Sequence, residues 1–292
     1  MATSISDTTI NPRLVVTGKT LTAFDALQVA DTLDTTETVT ISLGYNYFSY
    51  YSPTADFGSI SDPNGGGQYN PTTHSFTESG VVTGDPTFAT QLLRRLIYTP
   101  PVLQNGQGIA ISASVNVADS GNLPLTDPNT IIIDVLSPPL ISGTVANAPV
   151  SGTPGNSIRP FATTNVGDSD FAYSARDTAT IKITDGGVLT DGDGLLTGPG
   201  LSKTPNMVGT YTLSNADYAY SIDNELRNLV FTPSAVTAGQ TRTTAFELDV
   251  TDAKAGLTTT DTTTSVLQFG PGGHAYHCRG PRRPDGCCRQ RH

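Results

Sequence analysis

Cysteine is absent from positions 1–269 of this 292-residue chain, and tryptophan is absent throughout. A disulfide framework and a cysteine-based zinc site are therefore excluded from the body of the protein. That body has a single histidine, His74, set in the polar stretch between Thr73 and Ser75. A triad needs a nucleophile, a base and an orienting group, and no Gly-x-Ser-x-Gly elbow, P-loop or dinucleotide fingerprint supplies the context for one. The expectation is a protein that is not an enzyme. Lysine and glutamate are scarce, and charged residues make up 14 % against about 25 % in an average domain. Strong helix formers are too few for a helical bundle. No apolar run approaches the ~20 residues of a membrane span, and the first residues show neither the basic nor the apolar part of a secretory leader.

What is present points to β structure. Threonine, serine, valine, glycine and aspartate dominate, and β-branched side chains suit a pleated, half-buried surface. The net charge is −10. Positions 270–292 hold five arginines and one aspartate, a local +4, so positions 1–269 carry −14. That field repels nucleic acid and anionic lipid and attracts cations. The body of the chain contains 21 aspartates but only four glutamates, the imbalance expected where short acids serve turns or calcium loops. Positions 270–292 also hold all three cysteines and three of the four histidines. This segment reads as compositionally foreign and disordered, either translated out of frame or an artificial addition, with a metal-binding or basic tail as the functional alternative, and is set outside the fold.

The chain is written twice. Leu93-Arg94-Arg95-Leu96-Ile97-Tyr98-Thr99-Pro100 is matched by Leu226-Arg227-Asn228-Leu229-Val230-Phe231-Thr232-Pro233, an offset of 133. Val117-Ala118-Asp119 matches Val250-Thr251-Asp252 at the same offset. Upstream, Phe24, Val29 and Asp31 correspond to Phe161, Val166 and Asp168, and offsets drift across the Gly/Pro/Asn-rich middle, where loop length varies at little cost. The expected organisation is an N-terminal arm (1–9), a first β-sandwich repeat (10–136), a proline linker (137–139), a second repeat (140–269) and the tail (270–292). Alternation predicts strands at 38–43, 45–51, 75–82, 109–117 and 130–135, and again at 178–183, 209–213, 245–250 and 264–269. Phe88, Leu92, Leu93 and Leu96, and then Ile222, Leu226 and Leu229, have helical spacing and predict a short helix before a late strand in each repeat.

A short helix running into Leu-x-x-Leu-x-Tyr/Phe-Thr-Pro, followed by a strand ending Val-x-Asp, resembles the cadherin-like and VCBS-type tandem repeats of large bacterial secreted surface proteins. The resemblance covers nearly all of positions 10–269, twice. It implies an all-β fold of two tandem immunoglobulin/cadherin-like sandwiches, a secreted or cell-surface location, and adhesion or spacing as the task. Its partners would be further repeats of the same protein, other copies of the chain, or host and matrix glycans. The junction departs from the cadherin pattern, because Asp134-Val135-Leu136-Ser137-Pro138-Pro139 offers a single acid.

Candidate sites follow from the acids and the tyrosines. Calcium takes six to eight oxygens, and glycines let the chain curl around it. Asp185, Asp191 and Asp193 in the loop Asp-Gly-Gly-Val-Leu-Thr-Asp-Gly-Asp-Gly are one candidate ligand set for Ca2+. Asp31 with Asp34, and Asp168 with Asp170, precede the first long strand of each repeat. Asp119 and Asp252 close the late strand. Turn chemistry accounts for the same recurrences. Tyr45, Tyr47, Tyr50 and Tyr51 crowd one strand with aromatics on both faces, which offers either a surface for sugar rings or a neighbouring subunit or packing in the core and across strands. Uncharged Thr/Val strands with open edges fit a self-assembling fibre, surface-layer or matrix subunit as an alternative, and a carbohydrate-binding module as a second one.

Overall fold

A computed structural model describes residues 4–7, 12–30, 36–46, 56–81, 87–119, 124–127, 130–151, 156–168, 177–213 and 219–272. The chain divides into two compact units, the first built on Met1–Pro139 and the second on Leu140–Val166, Ala175–Ala253 and Thr258–His292, with Gly167–Ser174 and Lys254–Leu257 grouped with the first. Both are all-β sandwiches carrying one short helix.

The first unit begins with β1 (Ser4–Asp7), β2 (Arg13–Val16), β3 (Leu27–Ala30) and β4 (Thr36–Tyr45), followed by β5 (Ser59–Ser61), β6 (Gln68–Asn70) and β7 (Ser75–Val81). Helix α1 (Phe88–Arg95) leads directly into β8 (Ile97–Thr99), and β9 (Gly108–Asp119), β10 (Leu125–Thr126) and β11 (Ile131–Leu136) complete it. Its main sheet runs β2-β11-β9-β4-β7-β6, with β10 also on β9. The pairs β1-β3 and β5-β8 form the opposing layer. Residues 4–7, expected as an arm outside the sandwich, are instead a strand of it, since pairing with β3 satisfies their backbone groups.

The second unit repeats this plan. It comprises β12 (Leu140–Ser142), β13 (Ala148–Ser151), β14 (Asn165–Gly167), β15 (Thr178–Asp185), β16 (Val188–Leu189), β17 (Gly194–Thr197), β18 (Leu201–Lys203) and β19 (Thr210–Leu213). Then come α2 (Ala219–Asn228), β20 (Val230–Pro233), β21 (Thr241–Asp252), β22 (Leu257–Asp261) and β23 (Ser265–Phe269). The main sheet runs β13-β23-β21-β15-β19-β18, with β12-β14 and β17-β20 opposite. In both units the strand near the start pairs parallel to the last strand, β2 with β11 and β13 with β23.

Alternation in the sequence becomes alternation in burial. On β4, Val39, Ile41 and Leu43 face the core, and on β9, Ile109, Ile111, Ala113, Val115 and Val117 do. Ile181, Ile183, Phe246, Leu248 and Val250 do the same in the second unit. Each helix closes the sandwich. Ala89, Leu92 and Leu93 of α1 are buried, and Leu96 ends the helix in an extended conformation with ψ 135°. The chain then enters β8, where Tyr98 is fully buried between Ile60 and Leu21 and donates its hydroxyl to Phe57 O at 2.9 Å. Phe231 takes the same place beside Leu196 and Ile158. Where the facing strand crosses this motif, Gly58 and Gly194 have φ +78° and +157°. A Cβ there would lie 2.3 Å from Thr99 O and 2.5 Å from Thr232 O, so no side chain fits either position.

At the proline connector Ser137 is buried, and its hydroxyl donates to Gln104 O and Gln107 O, each at 2.7 Å. Tyr45 is half-buried at the end of β4, with its ring 4.4 Å from Phe57, which in turn meets His74 edge-on. Burying that ring against the core is favourable, so Tyr45 lines the core rather than a ladder in solvent. Tyr47, Tyr50 and Tyr51 lie outside the described residues.

One polar cluster locks α1 to the main sheet. Arg95 forks onto Asp62 at 2.8 and 3.0 Å and reaches Glu78 at 3.0 Å. The Arg95 hydrogen bonds hold the Asp62 carboxyl below its ordinary range, while burial and the Asp62 charge push Glu78 up. Asp62 therefore stabilises the fold fully above its unfolded pKa of about 3.9 and loses that contribution as pH falls through its lower folded value. Glu78 acts in the opposite sense, favouring the fold more as pH falls toward its unfolded value. Asp62→Asn is expected to cost about 1–3 kcal/mol at pH 7, the worth of hydrogen bonds to a charged partner. Urea unfolding of wild type and variant should show this gap closing near pH 2; a gap independent of pH would contradict the assignment.

Candidate functional site

Three carboxylates converge at the end of β21. Asp168 follows β14, Asp177 immediately precedes β15, and Asp252 is the last residue of β21. The β15–β21 register pairs Thr178 with Thr251, so the next step sets Asp177 against Asp252. One carboxylate oxygen from each of the three lies within 4.8 Å of the other two. Asp177 and Asp252 are buried, at 5 % and 0 % exposure, and Asp168 is half-buried. Among the described residues no other group of three acidic, histidine or cysteine side chains converges in this way.

The helix fixes the strand that delivers Asp168. The Val166 amide donates to the Asp223 carboxylate of α2, Arg227 pairs with Asp223 at 3.4 Å, and Arg227 Nε donates to Thr164 O at 3.0 Å. Burial pushes the Asp223 carboxyl up, against the pull of the Val166 amide and of Arg227. The first unit anchors its equivalent strand with a neutral group. Thr90 of α1 accepts from Val29 N at 2.8 Å and donates to Val29 O at 3.0 Å. There, too, acids occupy the matching positions. Glu37 stands opposite Asp119 in the β4–β9 register, and Asp31 follows β3 as Asp168 follows β14. Glu37 is fully buried and accepts from Ala89 N at the start of α1 at 3.2 Å.

The sequence-predicted acids thus separate into two groups. Asp168 and Asp252 meet. Asp119 ends β9, and Asp31, Asp34 and Asp170 fall outside the described residues. The loop Asp185–Gly194 does not gather its carboxylates. Asp185 and Gly186-Gly187 make a tight hairpin turn with both glycines at positive φ. Asp191 pairs with Lys203 and accepts from Gly209 N at 2.8 Å, contacts that hold its carboxyl below the ordinary range. Asp193 is turned inward, at 4 % exposure, onto the Thr244 hydroxyl. Short acids are drawn to the nearest donors, and here those donors lie on different strands. Asp177 was missed by sequence reasoning. The signal for it was the match of 178–183 to 38–43, which sets Asp177 level with Glu37.

Chemically the trio is a hard-oxygen donor set of the kind Ca2+ or Mg2+ takes. Like charges this close repel one another unless a cation, a proton or a hydrogen-bond donor lies among them. In chelator, Asp177→Asn takes away one of the three neighbouring charges and is expected to raise the melting temperature by a few degrees, the shift that about 1 kcal/mol gives. Calorimetry in EDTA checks this, and a lower melting temperature would mean that the three charges do not repel in the native state.

No family model matches the chain, and no curated protein does. Solved structures do. The chain is similar to protocadherin gammaB7 EC3-6, with 15 % identity and TM-score 0.33, covering 92 % of this chain and 49 % of that one. It is similar to mouse cadherin-23 EC22-24, with 13 % identity and TM-score 0.31, covering 92 % and 66 %. It is also similar to BcpA, the major pilin subunit of Bacillus cereus, with 8 % identity and TM-score 0.28, covering 74 % and 64 %. The chain spans about half the length of the protocadherin chains it matches.

Proposed function

We propose that this chain is a non-enzymatic structural or adhesive module of a bacterial cell-surface protein, in which tandem sandwiches act as spacers and a divalent cation, Ca2+, stiffens the fold. The observation that carries the reading is the convergence of Asp168, Asp177 and Asp252 at the ends of three strands. A cation held there joins β14, β15 and β21 at the point where the backbone ladder stops. The rest of the chemistry supports the same reading. The cores are closed by aliphatic and aromatic side chains, the sequence lacks nucleophile–base motifs, and positions 1–269 carry a charge of −14 that favours cations. The natural partners are further repeats or copies of the same chain in an extracellular assembly.

A ligand that binds only the folded state stabilises it by RT ln(1 + [L]/Kd), about 2.7 kcal/mol at a hundredfold excess over Kd. Thermal unfolding of the full chain in EDTA, in millimolar CaCl2 and in millimolar MgCl2 is the test. The expected result is a calcium-dependent rise in the melting temperature, abolished in Asp252→Asn. Superimposable curves in EDTA and calcium would remove the cation from the proposal.

A further inference from the structure

A second polar constellation lies within the second unit, away from the acidic trio, with Arg242 half-buried at its edge. Asp193 precedes β17, Arg242 and Thr244 lie on β21, and Gln268 lies on β23. Thr244 and Gln268 have no exposed surface and Asp193 has 4 %. The Thr244 hydroxyl donates to Asp193 Oδ2 at 2.8 Å, and Thr244 Oγ1 lies 2.5 Å from Gln268 Nε2. On the far side of the carboxamide, Arg242 donates to Gln268 Oε1 from Nη2 at 2.6 Å and from Nε at 3.2 Å. Arg242 is itself fixed by Asp193 O at 2.9 Å and Ser234 O at 3.0 Å.

The fold does not require these groups. Strand register maps the four positions onto the first unit, where β21 corresponds to β9, β23 to β11 and β17 to β5. The matching residues there are Phe57, Ile109, Ile111 and Val135, all buried and apolar. One unit fills this space with hydrocarbon. The other holds a hydroxyl against a carboxylate base, next to an amide whose carbonyl oxygen rests in a guanidinium fork. Those are the parts of acyl transfer: nucleophile, general base, electrophile and oxyanion donor.

We propose that Thr244 and Gln268 form an intramolecular ester that joins β21 to β23. The Asp193 carboxylate takes the hydroxyl proton as Thr244 Oγ1 attacks Gln268 Cδ, and Arg242 carries the negative charge that develops on Oε1. The Cδ–Nε2 bond then breaks, and the proton returns from Asp193 to the departing nitrogen. The new bond is Cδ–Oγ1 and the product is one molecule of ammonia. No oxidant, reductant, cofactor or water is consumed. An amide is a poor acyl donor in solution, but fixed juxtaposition supplies effective molarities of about 10⁵–10⁸ M. Exclusion of water shields the ester from hydrolysis once it is made. The reaction runs once per chain.

Intact mass spectrometry of the folded full-length chain, after incubation at neutral pH, is the test. The wild type should be lighter than its sequence by one ammonia, and proteolysis should yield a branched peptide joining the Thr244 and Gln268 segments that mild alkali splits. Thr244→Val, which keeps the shape, and Asp193→Asn should carry the full sequence mass, with circular dichroism reporting that each is folded. Thr244→Ser should retain the loss. A folded wild type at full sequence mass overturns the proposal whatever the variants do, and so does an ammonia loss that survives in Thr244→Val. A loss that survives in Asp193→Asn overturns the role given to the base. The readout is independent of calcium, so it stands or falls separately from the cation proposal.

Discussion

Both units depend on burying one aromatic ring between two sheets that share few backbone hydrogen bonds. Tyr98 and Phe231 sit at the end of a helix, on a short strand, with no exposed surface. Each exchanges a pair of backbone hydrogen bonds with an isolated residue of the opposing layer, Leu21 in one case and Ile158 in the other, at 2.8–2.9 Å. In the second unit the ring extends into a column, with Phe231 meeting Phe246 edge-on at 5.2 Å and Phe246 meeting Phe161 at 5.6 Å. Removing that ring would leave a cavity that neither sheet can collapse to fill. The glycines at 58 and 194 exist to let a strand pass close to this motif.

That constraint is why so much of the fold was legible. A residue buried on one side and followed by proline leaves a sharp trace, and the doubled Leu-x-x-Leu-x-Tyr/Phe-Thr-Pro motif located both helices and the strands after them. The long strands were equally plain, because Val39, Ile41 and Leu43, or Ile181 and Ile183, alternate with hydroxyl residues or lysine. Short strands such as β5, β6 and β18 were not, since three residues carry no readable period and their pairing is decided by distant partners. The acidic site was half legible. Asp168 and Asp252 stood out because each recurs in the other repeat. Asp177 did not, because its counterpart is a glutamate and the offset between repeats changes across the intervening loop. Asp191 and Asp193 misled because spacing along a loop says nothing about which donors lie nearby in space.

The duplication also separates what the architecture needs from what a particular unit has been given. The clamp between helix and strand is a threonine in one unit and an Asp–Arg pair in the other. The solvent face of β4 and β9 is built from Thr38, Thr40, Ser42, Ser114 and Asn116, whereas β15 and β21 carry Lys182 between Glu247 and Asp249 at 2.5 and 2.8 Å. One frame therefore tolerates neutral and ionic solutions at corresponding points, provided that buried groups find partners.

The parallel pairing of β2 with β11, and of β13 with β23, has a mechanical meaning. In each unit an early strand and the last strand lie side by side and run in the same direction. Tension applied to the two ends of a unit drags these neighbours past each other along their length. Every rung of the ladder is then loaded together, and rupture needs all of them to fail at once, whereas a peeling geometry would break them one by one. A unit loaded in this way resists extension through backbone hydrogen bonds in shear.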